Sequence, residues 1–493
     1  MCFSKLRCFK GFYFPKRCIF MILGFLGMFL LFATRVNFSV ALVAMVADSR
    51  DHEFNSFNTS VGCYNLLRND THLKENAVKG IKYNWDPKIQ GLILSSVYYG
   101  FLFTQIPGGI LSERFGAKWI FGLGILISSI LYLLIPVAAS WGFGVVIAIR
   151  FVQGLSEGLT FATINFAISN WSPVSERSRI STVIFLGISF GMIIGMPVSG
   201  TFSSIEALGG WPSSFYLFGG CGILWFIFWS TLIYETPKDH PYISAKELEY
   251  FQEIKTETPT MKTKIPWKDV FTSLPVWAVM IAHLGNDYGF TVFMAQMPTY
   301  FRDVLHLDIQ TNGFLSAIPY VCQVVSGALA SYIADRLRVS NTIGITAIRK
   351  IMNSIGFGGP GLCLLGIIAS GCRPELILFL LCLSMFLNGF TFSGYNVTHV
   401  DMSPEFSGVL YGLTCTLATV GGITAPTING FITATGDSHL NWNMIFYITT
   451  AVYFVSGLFY VAFASAEKQP WSEVESDVNT HNKLDDNYVV KVQ

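Results

Sequence analysis

Twelve times along this chain there recurs a window of about twenty mostly apolar residues, the length a helix needs to cross the hydrocarbon core of a bilayer. The windows begin near Ile19, Ile89, Lys118, Phe143, Ile180 and Ser213, and again near Pro275, Thr311, Ala347, Pro374, Gly408 and Trp442. Lipid offers no partner for a backbone N–H or C=O, so such windows must close their hydrogen bonds internally, as helices. The reading is an all-α membrane protein with twelve transmembrane helices. Composition agrees, with 52% of the residues hydrophobic and 13% charged, against about 25% charged in soluble domains. A net charge of +1 lacks the basic excess of a nucleic-acid binder. The first apolar run, Ile19 to Val46, follows a basic segment but is too long for a signal-peptide core and contains Arg35, so it reads as a retained span.

The windows fall into two sets of six. Residues 1–18 form a basic tail and 19–234 a first six-helix half. A polar linker, rich in Lys, Glu and Pro, covers 235–274, a second half covers 275–465, and a polar, disordered tail covers 466–493. Lys5, Arg7, Lys10, Lys16 and Arg17 lie on the same side as Arg114, Lys118, Arg177, Arg179, Arg336, Arg338, Arg349 and Lys350. The short loops on the other side offer only Arg302 and Arg373, so the basic side, with both termini, is expected in the cytoplasm. The long loop 47–88 then faces outside or a lumen, and it holds two glycosylation acceptors, Asn58 and Asn69. Of ten scattered cysteines, only Cys63 and Cys372 fall in loops on that side, which leaves a disulfide between them open; no spacing suggests a metal site.

An internal repeat supports the division. "GILSERFGAK" from Gly109 closes the second span and "SYIADRLRVS" from Ser331 closes the eighth, so that Glu113-Arg114 aligns with Asp335-Arg336. An acid followed by arginine thus recurs at matching turns, as expected of two pseudo-symmetric halves that rock about a central site, a plan found in transporters. In the fifth span, Gly187, Gly191, Gly195 and Gly200, with Pro197, read chiefly as a close-packing surface.

Ionisable residues well inside the spans are confined to few helices. Span 1 has Arg35, span 4 has Arg150 and Glu157, and span 7 has His283 and Asp287. Span 10 adds Asn388, Tyr395 and Asn396, with His399 and Asp401 near its end. These are the first helices of each three-helix group, which in a nested repeat would surround one cavity. A charge at the centre of a bilayer costs at least about 2.5–3.5 kcal/mol, a cost that a water-filled cavity removes. Two arginines suit an anionic ligand, because guanidinium offers a planar fork to carboxylate or phosphate; Asn286, Asn388 and Tyr395 are further candidates to touch it. Glu157, Asp287 and His283 are candidates for the coupling ion, Na+ or H+, with a purely structural salt bridge as the alternative for Glu157. His283 and Asp287 stand four apart and are expected to pair.

These residues resemble the major facilitator superfamily and, within it, the anion–cation symporters that include sialin, the type I sodium/phosphate transporters and the vesicular glutamate transporters. The resemblance rests on "RVNFSVALVAMV" from Arg35, "NWDPKIQGLILSS" from Asn84, "YYGFLFTQIPGG" from Tyr98, "RFVQGLSEGLTF" from Arg150, "GFLSAIPY" from Gly313, "GYNVTHVDMSPEFSGVLYGLT" from Gly394 and "FYVAFASAEKQPW" from Phe459. It is strongest toward invertebrate sialin-like proteins labelled inorganic phosphate cotransporters. The resemblance implies symport of an anion with sodium or protons by alternating access, and functional roles for Arg35, Arg150 and Glu157. The chain departs from the vesicular glutamate transporters at Leu94, where they carry histidine, and at Asn286, where they carry arginine. It departs from sialin-type proteins at Gln153, where they carry a second glutamate, and matches them at His283.

The expectation is therefore a secondary active transporter of inorganic phosphate or organic anions. A proton-coupled organic-acid exporter of lysosomes or vesicles is one alternative, and a non-transporting anion receptor of the same shape is another. A membrane-embedded enzyme built on His283 and Asp287 lacks a third orienting residue. No cofactor beyond the coupling cation is expected. The partners are the small anion, that cation and lipid, the protein acts as a monomer, and the plasma membrane is the first expectation for its location.

Overall fold

The computed structural model describes residues 15–47, 81–173, 176–252, 265–340, 342–371, 373–435 and 438–472. Asn58, Asn69, Cys63 and Cys372 lie outside the described residues. The first half consists of α1 (Lys16–Met45), α2 (Pro87–Phe115), α3 (Ala117–Trp141), α4 (Phe143–Trp171), α5 (Arg177–Ser204) and α6 (Pro212–Leu232). The second half begins with α7, which runs in three pieces, Leu274–Thr291, a π-helical turn Val292–Gln296, and Met297–Asp303. There follow α8 (Ile309–Ser340), α9 (Ile345–Ser370), α10, α11 (Ser407–Thr433) and α12 (Ser438–Phe463). Helix α10 is likewise broken, into Pro374–Asn388, a 3-10 stretch Gly389–Ser393, and Tyr395–Met402 after Gly394. Among the described residues eleven spans, with the broken α10 taken whole, are long and apolar enough to cross a membrane, and the three pieces of α7 complete the twelve. The windows locate every span, but they do not foresee the breaks in α7 and α10. An apolar window is blind to backbone irregularity, which a membrane protein tolerates where neighbouring helices satisfy the freed groups.

The two halves repeat each other in register. Gly91 lies four residues past the start of α2 at Pro87, and Gly313 four past the start of α8 at Ile309. Gly200 and Gly430 each lie twenty-three residues past their helix starts, Arg177 and Ser407. The four glycines meet across the halves, α2 against α11 and α5 against α8. A Cβ on Gly430 would come 2.6 Å from the Pro87 carbonyl oxygen and 3.1 Å from Gly91 Cα; one on Gly313 would come 2.6 Å from the Met196 carbonyl and 3.1 Å from Gly200 Cα. Only glycine permits backbones this close. The other glycines of the α5 stripe, Gly187, Gly191 and Gly195, lie instead on the α1 backbone from Phe25 to Ala33.

Both glycine crossings sit at the ends of the helices away from the basic loops. At that opposite face Ser39 of α1 donates to the Met294 carbonyl in the π-helical turn at 3.1 Å, and the Lys88 ammonium stands 5.6 Å from the Phe431 ring centre. At the basic face Glu113, Arg114, Asp335 and Arg336 are all exposed. Among the described residues no ion pair joins these two turns, and Arg336 Nε instead donates to Tyr332 of its own helix at 3.2 Å. The two halves are thus in close contact at the face opposite the basic one.

Two polar segments expected to be plain tail or linker are docked on the basic face. In the linker, Glu235 accepts from the Ala117 and Lys118 amides at 2.6 and 3.1 Å, satisfying donors at the start of α3. A short helix, Ala245–Gln252, brings Glu247 against the Lys16 and Arg17 amides, each at 3.1 Å, and so does the same for α1. Between them His240 lies among Trp171, Tyr234 and Tyr242, and burial together with the Lys16 ammonium holds its imidazole below the ordinary histidine range. The expectation of a disordered tail from Ala466 onward fails for residues 466–472. Ala466 N donates to Thr346, Gln469 N to the Met402 carbonyl, and Ser472 to Ser403 and Glu405, while Trp471 lies against Phe406. Backbone donors and one aromatic ring outweigh the polar composition there.

Candidate central anion site

The charged residues within the spans converge where the two halves meet. Arg35 of α1 and Glu157 of α4 form an ion pair, Nε to Oε2 at 2.9 Å, with the glutamate only 1% exposed. Three rings surround the Arg35 guanidinium, those of Phe32, Tyr98 and Phe101, at 5.0, 5.6 and 5.0 Å. Such faces stabilise a desolvated cation through their quadrupoles. The second glutamate oxygen accepts from Ser128 of α3 at 3.0 Å. Glu157 is therefore held on both oxygens, by one cation and one hydroxyl.

Arg150 is placed differently. It is 2% exposed, its guanidinium lies 4.2 Å from the centre of the Phe38 ring, and its Nε meets no hydrogen-bond acceptor. Among the described residues no carboxylate lies within ion-pair distance of it, although Glu157 and Tyr132 act on it electrostatically. Close by, Asn37 donates to the Tyr132 hydroxyl, which in turn donates to the Thr34 carbonyl at 3.0 Å; Asn37 Oδ1 is left without a partner. A buried cation lacking an anionic partner is costly.

The second half supplies the opposing wall. Asn388 of α10 donates to Asn286 of α7 at 2.9 Å and accepts from Gln323 of α8 at 2.8 Å, forming an amide chain across three helices. Tyr395 is buried with its ring centre 5.1 Å from that of His283. Asp287 forms no salt bridge among the described residues, but it is close enough to Arg35 of the first half and to Tyr395 of its own half to be coupled to both electrostatically. The pairing of His283 with Asp287 is not made. The His283 ring turns to Thr414 of α11, Nδ1 to Oγ1 at 3.0 Å, and the same hydroxyl lies 2.9 Å from His399 Nε2. Spacing four apart put the two residues on one helix face, but it could not show that a threonine on a distant helix would compete.

The site thus brings together Arg35, Glu157, Arg150 and Asp287 as its charges, with Asn286, Asn388 and Tyr395 along one side. The turn residues Glu113, Arg114, Asp335 and Arg336 lie apart from it, at the basic face. Ser128 and Tyr132 were not legible beforehand, since a serine and a tyrosine in an apolar helix carry no periodic signal. Arg349 and Asp401, near the basic ends of α9 and α10, form a second buried ion pair at 2.8 Å. They hold those helices together, and Arg349 also donates to the Ser393 carbonyl at 3.0 Å, beside the α10 break.

A sequence model described as Major Facilitator Superfamily matches residues 24–426. A Drosophila ananassae protein named "Putative inorganic phosphate cotransporter" is 37% identical over 460 residues, covering 92% of this chain and 93% of its own. Human sialin is 36% identical over 452 residues, covering 92% and 90%. Among solved structures, an inward-facing, occupied bacterial homologue of the human lysosomal transporter Spinster superposes with a TM-score of 0.66 at 11% identity, covering 93% of this chain and all of that one. That likeness concerns the fold.

Proposed function

The chain belongs to the major facilitator superfamily, and from that premise we propose that it binds a small anion at Arg150 and carries it together with one cation through the membrane. It is a multi-pass secondary transporter and not an enzyme. The observation that carries the reading is the unequal treatment of the two arginines: Glu157 occupies Arg35, while Arg150 has no carboxylate within reach among the described residues. A guanidinium left in this state presents its fork to a carboxylate or phosphate oxygen pair.

Charge balance supports symport. At their formal charges Arg35 and Arg150 against Glu157 and Asp287 sum to zero, so a bound monoanion leaves one uncompensated negative charge. A co-bound Na+ or H+ restores neutrality, and occluding the central site from water costs least when its charges sum to zero. Glu157 touches Arg35 directly and is the first choice for the cation's carboxylate, with Asp287 the second. The basic face is assigned to the cytoplasm, so the face where the halves touch looks outward or into a lumen. The plasma membrane is the first assignment and a lysosomal or vesicular membrane the alternative; the unit that transports is the monomer.

Uptake of radiolabelled phosphate, sialic acid, glutamate and urate into proteoliposomes, under separate sodium and proton gradients, tests this. Arg150→Ala should lose about 2 kcal/mol or more of anion binding, roughly thirtyfold in apparent affinity, and Arg150→Lys should recover part of it because charge without the fork is retained. Unchanged affinity in a folded Arg150→Ala protein would remove the anchor from the proposal. Glu157→Gln should abolish gradient-driven accumulation; retained accumulation moves the coupling role to Asp287.

A further inference from the structure

Around Glu157 the structure carries an arrangement that ion pairing alone does not require. Gln153 stands one helical turn before Glu157 on α4, so the two share a face. Between them Ser128 reaches in from α3. Its hydroxyl donates to Glu157 Oε1 at 3.0 Å and accepts from Gln153 Nε2 at 3.3 Å, and the same nitrogen lies 3.5 Å from the Ser128 carbonyl. All three side chains are buried, and Gln153 Oε1, the one remaining acceptor in the row, has no partner. A buried amide oxygen left unpaired is uncommon and costly.

Resting on the reading of Glu157 as the cation carrier, we propose that Ser128 and Gln153 are positioning residues forming a reversible hydrogen-bond relay that lets Glu157 hold either a charge or a proton. With Glu157 ionised, hydrogens point along the row toward the carboxylate, from Gln153 Nε2 to Ser128 and from Ser128 to Oε1. When a proton arrives on Oε1, the new O–H donates back to the Ser128 oxygen. The serine hydrogen rotates away, and half a turn of the Gln153 amide presents Oε1 to receive it. One proton is gained and no other covalent bond changes. The idle oxygen of the present state becomes the acceptor of the other.

The groups that face Glu157 fit this role. Arg35 approaches from α1, Tyr132 from α3 and Arg150 from its own helix; Tyr98 from α2 and Asp287 from α7 act on Arg35. From α5 the titratable side chains are Arg177 and Arg179, at its basic start. Glu157 thus lies between two cations, Arg35 and Arg150, and a proton carrier in that position needs hydrogen-bond partners for its neutral form as well as for its charged one. A sodium ion would instead take oxygen ligands and leave the row pointing one way.

The test is the proton dependence of gradient-driven uptake in proteoliposomes holding wild-type, Ser128→Ala, Ser128→Thr, Gln153→Met and Glu157→Gln proteins. Ser128→Ala removes a donor to the ionised form and an acceptor for the neutral one; the bond to the charged form is the stronger, so the midpoint of the dependence should rise by about one pH unit. Ser128→Thr, which keeps the hydroxyl, should restore it. Gln153→Met removes the second link of the row in both states, a donor of the ionised one and the acceptor of the neutral one, while Ser128 still meets Glu157, so its midpoint should move by less than that of Ser128→Ala. General loosening of the helices would not be rescued by threonine. A midpoint unmoved in Ser128→Ala, or in Gln153→Met where the alanine variant does not fold, overturns the relay while Glu157→Gln still reports on the carboxylate. Full proton-driven accumulation in Glu157→Gln overturns the underlying reading instead. Uptake driven by sodium alone removes the relay and leaves Glu157 to be judged in sodium.

Discussion

Alanine at the glycine crossings should bias the molecule toward opening at the face where the halves touch. A Cβ at Gly430 would sit 2.6 Å from the Pro87 carbonyl oxygen, and one at Gly313 would sit 2.6 Å from that of Met196. Ordinary contact needs about 3.4 Å or more between such atoms, so the helices must separate by several tenths of an ångström. The obstructing atoms are backbone, and no rotamer change relieves them. Overpacking of this kind costs about 1–3 kcal/mol, and it applies only in the state where the halves touch at that face. Each substitution should therefore shift the balance between the two states by roughly 5- to 150-fold. The two crossings share no partner, so their effects should add within a few tenths of a kcal/mol. Spin labels at Lys82 and Thr435, both exposed beside the α2–α11 crossing, would report the opening by pulsed electron resonance. Gly430→Ala and Gly313→Ala should each populate a longer distance, and the double variant more so. Gly412→Ala, on the same helix as Gly430 but with open space at its Cβ, should leave the distribution as in wild type. Unchanged distances in a folded double variant would refute the argument that glycine contact closes this face.

Three further outcomes follow from the same geometry. Removing Arg349 strands the Asp401 carboxylate, so Arg349→Ala should cost about 3–5 kcal/mol and lower the melting temperature in detergent, whereas replacing both partners by leucine should recover most of the loss. Glu247→Ala frees the Lys16 and Arg17 amides, which should weaken the start of α1 by about 0.5–2 kcal/mol and speed hydrogen exchange there without altering α7 to α12. If the loop 47–88 faces outside or a lumen, Asn58→Gln and Asn69→Gln should each remove one glycosidase-sensitive step in gel mobility from protein made in eukaryotic cells; a wild-type protein insensitive to glycosidase would contradict that placement.

Hydropathy alone determined that this chain crosses a membrane as helices, because lipid leaves an apolar run of twenty residues no other way to satisfy its backbone. The repeated acid–arginine turns determined that there are two halves, and the offset of 222 residues between Glu113 and Asp335 is the same one that separates Gly91 from Gly313. The helices that carry the buried charges could also be read in advance, since a charge in an apolar run is visible in one dimension. Tertiary structure decided which charges meet. Arg35 rather than Arg150 takes Glu157, across 122 positions of sequence, and His283 turns from Asp287, four residues away, to Thr414 on another helix. The breaks in α7 and α10, and the docking of residues 466–472, were equally hidden. In each case the outcome depends on which polar groups lie within 3 Å of one another, a competition among distant segments that neither the period of a helix nor its composition can encode.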